Sequence, residues 1–182
     1  MIAEPTTLPG VLVVQSPVHA DERGFFTEVF QEHGFHALGL PTHFAQDSHS
    51  RSRGHVLRGL HYQLANPQGK LVRVVHGTIF DVAVDVRRTS PCFGQWVGVT
   101  LEGGDGRQIW VPAGFAHGFL VLSEFADVTY KSTSLYDAAS SRSIRWNDPD
   151  IGIRWPLPIS VQPILSATDA AAVRLSAADC FD

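Results

Sequence analysis

The chain is poor in cysteine. Cys92 and Cys180 are its only two, far apart and in no Cys-x-x-Cys spacing, so neither a disulfide framework nor a zinc knuckle is indicated and both read as free thiols. No run approaches the ~18 consecutive apolar residues of a membrane-spanning helix. The N-terminal MIAEPTTLPG also lacks the basic start and apolar stretch of a secretory signal. No membrane role is expected, and the cytoplasm is the expected address. Positive charge is scarce as well: 14 Lys and Arg stand against 18 Asp and Glu, a formal charge of -4. That balance argues against a general nucleic-acid or membrane-surface binder and leaves a local pocket for a small anion. Charged residues make up only 18% of the 182-residue chain and hydrophobic ones 44%, enough for one sizeable core, so residues 1–182 are expected to form a single domain. Repeats, low-complexity tracts and linkers are absent. Helical periodicity is confined to about 31–38 and 167–177.

What the chain does have is punctuation. Sixteen glycines and eleven prolines are scattered between short apolar runs, as expected of many short strands joined by turns. In TIFDVAVDV (78–86), Phe80, Val82, Val84 and Val86 share one parity and Asp81 and Asp85 the other, which predicts a strand with a core face and a carboxylate face. KLVRVVHG (70–77) places Lys70, Val72, Val74 and His76 on one side and Leu71, Arg73 and Val75 on the other, with Gly77 suited to a turn. Further strand-like runs are GVLVVQS, GFFTEVF, QWVGVTL, RQIWVPA, HGFLVL and DVTYKSTSLY. The expected architecture is all-β, a sandwich or barrel with a helical trim.

One stretch is at odds with a plain core. VLRGLHYQLANPQGKLVRV (56–74) sets Arg58, Lys70 and Arg73 around a lone His61 within apparent strand. Buried polar groups without partners cost a few kcal/mol each, so such charges meet each other or meet a ligand. Spacing alone leaves both open: a strand histidine is more often a structural residue than a catalyst, and a lysine at a strand start more often projects into water. Arg23 and Arg58 have Glu22, Glu28 and Asp81 as candidate ion-pair partners. Gly59, between Arg58 and His61, suits a bulge that would bring both side chains to one space.

Two motifs narrow the field. GLHYQ (59–63) and PAGFAHGF (112–119) resemble the two motifs of the cupin superfamily. Metal-binding cupins supply His-x-His and a later glutamate from the first motif. Here Gln63 takes the second histidine position and no glutamate lies between His61 and His76, so His61 and His117 form too poor a pair to hold a divalent ion. A metal-free cupin is expected.

The chain further resembles the dTDP-4-dehydrorhamnose 3,5-epimerase family. The resemblance runs through DERGFFTEVF (21–30), FAQDSHSRSRGHVLRGLHYQ (44–63), QGKLVRVVHGTIFDVAVDVRRTSPCFGQWVGV (68–99), GFAHGFLVLSEFADVTYKST (114–133), WNDPDIGIRWP (146–156) and LSATDA (165–170). It implies a cupin-type jelly roll with a few short peripheral helices, an active homodimer, no cofactor, and a substrate that is a nucleotide-linked 4-keto-6-deoxyhexose. Carbons 3 and 5 of such a sugar flank the ketone, so inverting them through an enolate needs a base on one face, a donor at the C4 oxygen and an acid on the other face.

By position, the resemblance implies His61 as base, Asp169 as its carboxylate partner, Lys70 at the C4 oxygen and Tyr130 as the acid. Arg23 and Arg58 match diphosphate-binding arginines, a role the planar guanidinium suits. Glu28, Gln46, Ser48 and His117 match further substrate contacts, and Tyr136 matches the family's second tyrosine. Leu135 stands where the family usually places an aromatic residue near the thymine. On strict strand alternation with Tyr130 and Tyr136 it would point away from them. Ser141 and Thr168 replace charged contacts of some members. Within this class the alternative is an epimerase of one carbon. Outside it stand a sugar-nucleotide-binding cupin without turnover, which has no need of an opposed base and acid, and a metal-dependent oxygenase, which Gln63 disfavours.

Overall fold

The computed structural model describes residues 1–182. Numbered along the chain, six strands form one antiparallel sheet in the order β1 (Ile2–Pro5), β2 (Leu12–Gln15), β10 (Arg107–Val111), β7 (Lys70–His76), β12 (Phe125–Ser132), β5 (Gln46–Arg53). Five form the second: β13 (Ser141–Ser143), β6 (Leu57–Gln63), β11 (Phe115–Val121), β8 (Thr78–Asp85), β9 (Trp96–Glu102). A separate hairpin pairs β3 (Val18–Asp21) with β4 (Gly24–Thr27). Helices α1 (Glu32–Ala37) and α2 (Ala167–Ala170) and a 3-10 turn at Leu175–Ala177 complete the chain. This is an all-β architecture, as the strand pattern predicts, and a cupin-type jelly roll, as the resemblance implies.

Between the sheets lies an apolar core in which Val72 and Val74 of β7 meet Ile79 and Ala83 of β8 and Phe115 and Phe119 of β11. Full burial of a valine, isoleucine or phenylalanine side chain contributes ~1.5–3 kcal/mol. The two-face reading of TIFDVAVDV needs correcting. Ile79, Asp81 and Ala83 point into the roll, so the carboxylate parity is the interior one, and both Asp81 and Asp85 are buried. The opposite face is not left to solvent: Val82, Val84 and Val86 pack against Ile144, Ile151, Leu175 and Ala178 of the C-terminal segment laid across the sheet. Both faces are covered because the chain continues past the roll.

Two other expectations need correcting. The helix expected over 167–177 is only α2, four residues capped by Ser166. Past it, Arg145 donates its backbone N–H to the Val173 carbonyl and Ile144 bridges Val173, which draws the chain into extended form. DVTYKSTSLY is strand only to Ser132. The next residues leave the ladder because Thr133 exchanges bonds with Gly69, and the Gln46 and Gln63 side chains capture the backbone of 135–137. Alternation therefore does not extend to Leu135 and Tyr136. Strand β5 has no apolar alternation and is absent from the sequence reading; its inward positions are Gln46, Ser48, Ser50 and Ser52.

Candidate active site

Gly59 sets the geometry. Between the pairs His61↔His117 and Arg58↔Phe119, β6 has two residues where β11 has one, which is a bulge. Gly59 has φ +116°, and a Cβ there would lie 2.6 Å from the Gly118 Cα and 2.7 Å from the His117 carbonyl oxygen. Only glycine fits. The bulge converts an odd spacing into a shared face, and Arg58 and His61 line one chamber together with Lys70, His117 and Tyr130.

That chamber, about 180 Å³, adjoins a vestibule of about 290 Å³ through shared His61, Lys70 and Tyr130. Gln46, Tyr136, Ser141 and Thr168 line the vestibule. His61 donates from Nε2 to Oδ1 of Asp169 at 2.5 Å, across 108 residues of sequence. The Asp169 side chain is almost fully buried and also accepts from the Ser166 hydroxyl at 2.8 Å. Burial opposes ionisation of Asp169, yet the hydrogen bonds from His61, Ser166 and the Gly59 backbone together hold its carboxyl below the usual range. An ionised partner fixes the imidazole tautomer and leaves Nδ1 as the basic nitrogen.

Across the chamber, Lys70 enters from β7 on the same face as Val72. Burial pushes its ammonium down to about 8, with the charge of Asp81 pulling the other way. It makes no ion pair or hydrogen bond within the chain, and the Tyr130 hydroxyl makes none either. Nearby, the hydroxyls of Ser50 and Ser132 are buried without partners. A buried cation with no partner is costly unless a polar ligand meets it.

The structure divides the sequence candidates. His61, Asp169, Lys70, Tyr130, Arg58 and His117 come together; Gln46 and Tyr136 border them; Ser48 is hydrogen-bonded by Gln46 at 3.0 Å. Arg58 donates to Ser52 at 3.0 Å and to no carboxylate. Arg73, the third cation of the 56–74 stretch, lines a groove on the outer face of the six-stranded sheet with Leu71 and Lys131. Arg23 and Glu28 are exposed and line neither chamber nor vestibule; Arg23 pairs with Asp21 on the β3–β4 hairpin. Sequence reasoning missed the serines of β5 and the service of Gln63, whose buried amide donates to the carbonyls of Asn66 and Leu135 and accepts from Asp137. The donor set does not fit a cupin metal: Nε2 of His61 and of His117 are taken by carboxylates, Gln63 is spent on loop backbone, and no group of three metal-ligating side chains occurs.

A jelly roll whose two sheets bring a carboxylate-supported imidazole, a phenol and an uncommitted ammonium to one chamber is a cupin with groups suited to proton transfer. The comparisons name the family. A family model described as dTDP-4-dehydrorhamnose 3,5-epimerase matches residues 5–177, and the chain belongs to that family. The dTDP-4-dehydrorhamnose 3,5-epimerase of Salmonella typhimurium is 53% identical over 98% of this chain and 97% of its own. The solved dTDP-6-deoxy-D-glucose-3,5-epimerase of Legionella pneumophila, in complex with dTDP-4-keto-L-rhamnose, superposes with TM-score 0.92 at 50% identity, covering 98% of this chain and 94% of the other. A 3'-monoepimerase from Streptomyces bikiniensis, in complex with dTDP-quinovose, follows at TM-score 0.88 and 34% identity, covering 94% and 87%.

Proposed function

We propose that this chain epimerises dTDP-4-dehydro-6-deoxy-D-glucose at C3 and C5 to dTDP-4-dehydro-L-rhamnose in dTDP-L-rhamnose biosynthesis; its relatives are named 3,5-epimerases. The observation that carries this is the meeting, in one chamber, of the His61–Asp169 pair from one sheet with Tyr130 and the uncommitted Lys70 from the other. Nδ1 of His61 takes the proton from the carbon beside the ketone, and Asp169 stabilises the imidazolium that forms. Negative charge moves to the C4 oxygen, where the Lys70 ammonium donates. Tyr130 returns a proton from the other face and the centre inverts. Arg58 serves the diphosphate, while His117, Gln46, Ser48 and Tyr136 contact sugar and nucleoside. No metal or cofactor is required.

Arg23 and Glu28 fit this reading only from a second copy. They lie on or beside a hairpin that presents Phe25 and Phe26 to solvent, 59% and 68% exposed, and its own cavity does not use them. We therefore take the active unit to be a homodimer of single-domain chains, each hairpin reaching the neighbouring cavity. No helix is long and apolar enough to cross a membrane, and a cytoplasmic setting completes the reading, since the substrate is a charged nucleotide sugar.

The test is incubation with the dTDP-4-keto sugar in deuterated water. Label at C3 and C5 of the product is expected. Label at one carbon makes the protein a monoepimerase, and binding without label makes it a module without turnover.

A further inference from the structure

The chamber holds a second carboxylate–imidazole pair. His117 of β11 stands directly across the ladder from His61. Its Nε2 donates to both oxygens of Asp81, at 3.0 and 2.9 Å. Asp81 is fully buried and His117 nearly so. That imidazole is the only hydrogen-bond donor to the carboxylate, which can accept about four bonds. Packing does not account for an acid here, because Ile79 and Ala83 on the same face of β8 show what the core accepts. A buried, under-bonded carboxylate is a net cost unless its charge acts on something. Two groups lining the chamber have the complementary need: His117, whose Nδ1 is unpartnered, and Lys70, whose ammonium has no partner and is drawn toward its charged form by Asp81.

We infer that Asp81 is a positioning residue acting through His117 and Lys70: it turns the imidazole so that Nδ1 is the nitrogen offered to the sugar, and it supplies the negative potential that keeps Lys70 an ammonium where the enolate oxygen forms. This rests on the proton-transfer reading above. In the proton balance, the carbon-bound proton goes to His61, the incoming one leaves Tyr130, and Asp81 exchanges none. The charged and titratable groups facing this pair are Arg58 and His61 from β6, His117 from β11, Lys70 from β7 and Tyr130 from β12, with Asp169 behind His61. Val99, opposite Asp81 on β9, adds no charge.

Asp81→Asn separates charge from hydrogen bonding, since the amide oxygen still accepts from His117. The Asp81 charge favours the Lys70 ammonium, so removing it should lower that titration, by about one pH unit where an opposite charge lies within ~4–6 Å, and the alkaline limb of kcat should move down with it. Turnover at pH 8 should fall about tenfold with KM changed less than about threefold, the pattern of a lost transition-state interaction. The substrate-free readout is the 13Cε resonance of Lys70, assigned by its absence in Lys70→Met, whose midpoint should drop with the kinetic limb. His117→Gln keeps the Asp81 charge and should leave that midpoint unchanged or raised while lowering turnover. An unmoved Lys70 midpoint in Asp81→Asn overturns the inference. If Asp81→Asn does not fold, a lowered midpoint in His117→Gln overturns it and an unchanged or raised one supports it. Absence of epimerisation by the unmodified protein would sink the reaction reading alone, because the lysine titration needs no substrate.

Discussion

Lys70 is held in the roll at a cost that substitution should release. Its ammonium titrates at about 8 instead of 10.5 because burial strips its water. Every tenfold change in a protonation equilibrium corresponds to about 1.36 kcal/mol, so at pH 7 the charged form weighs against folding by about 3 kcal/mol, an upper figure given its partial exposure to the chamber. Lys70→Met keeps the length of the side chain and removes the charge. We expect the variant to be inactive and more stable by ~2–3 kcal/mol at pH 7, a rise of ~4–12 °C in Tm for a chain of this size. The sign with pH is definite. Above about 8 the folded lysine is neutral, while the unfolded one stays protonated up to 10.5. Wild-type stability therefore gains on the variant between those values, and the gap closes toward pH 10.5. Urea unfolding of both proteins from pH 7 to 10.5 gives the difference, in which other titrating groups cancel. A variant less stable than the wild type at pH 7, or a gap that does not narrow with pH, would refute the argument.

Asp169→Asn should leave the ring in place and deprive it of its charged partner, lowering kcat by ~10²–10⁴ while dTDP binding, measured by calorimetry, is retained; equal losses in both would place Asp169 in binding. Tyr130→Phe should still wash deuterium into recovered substrate but form little epimer, and epimer at the wild-type rate would put the acid elsewhere. Gly59→Ala sets a Cβ against immovable backbone at a positive φ, which should cost on the order of 3 kcal/mol from strain and overpacking and lower activity by separating Arg58 from His61. An unchanged melting temperature and turnover would show that the bulge is not required.

The legible parts of this molecule are those whose cause is local. Alternation marks β7 and β8, and Gly59 between two polar residues marks the bulge that puts Arg58 beside His61. Strand β5 escapes because its inward side chains are a glutamine and three serines, which carry none of the apolar signal that strand reading depends on. The faces of β8 are misread from sequence because what covers its outer side is the chain from Ile144 onward, contributed by distant residues. The pairings His61–Asp169 and His117–Asp81 span 108 and 36 residues. Spacing cannot propose them; the first comes only with the family resemblance, and the second needs the fold.

The serine wall has a further consequence at the margin of the sheet. Strand β5 is an edge, paired only with β12, and the outward backbone N–H and C=O groups along its eight residues are an invitation to a foreign strand. Its two faces decline it: hydroxyls and a glutamine on one, Asp47, His49, Arg51 and Arg53 on the other. The polar side chains on both faces of β5 thus keep this edge from pairing with a neighbour's. Anyone who filled that wall with valines to thicken the core would create a long strand with a greasy face and a bare edge, the composition from which fibrils are built.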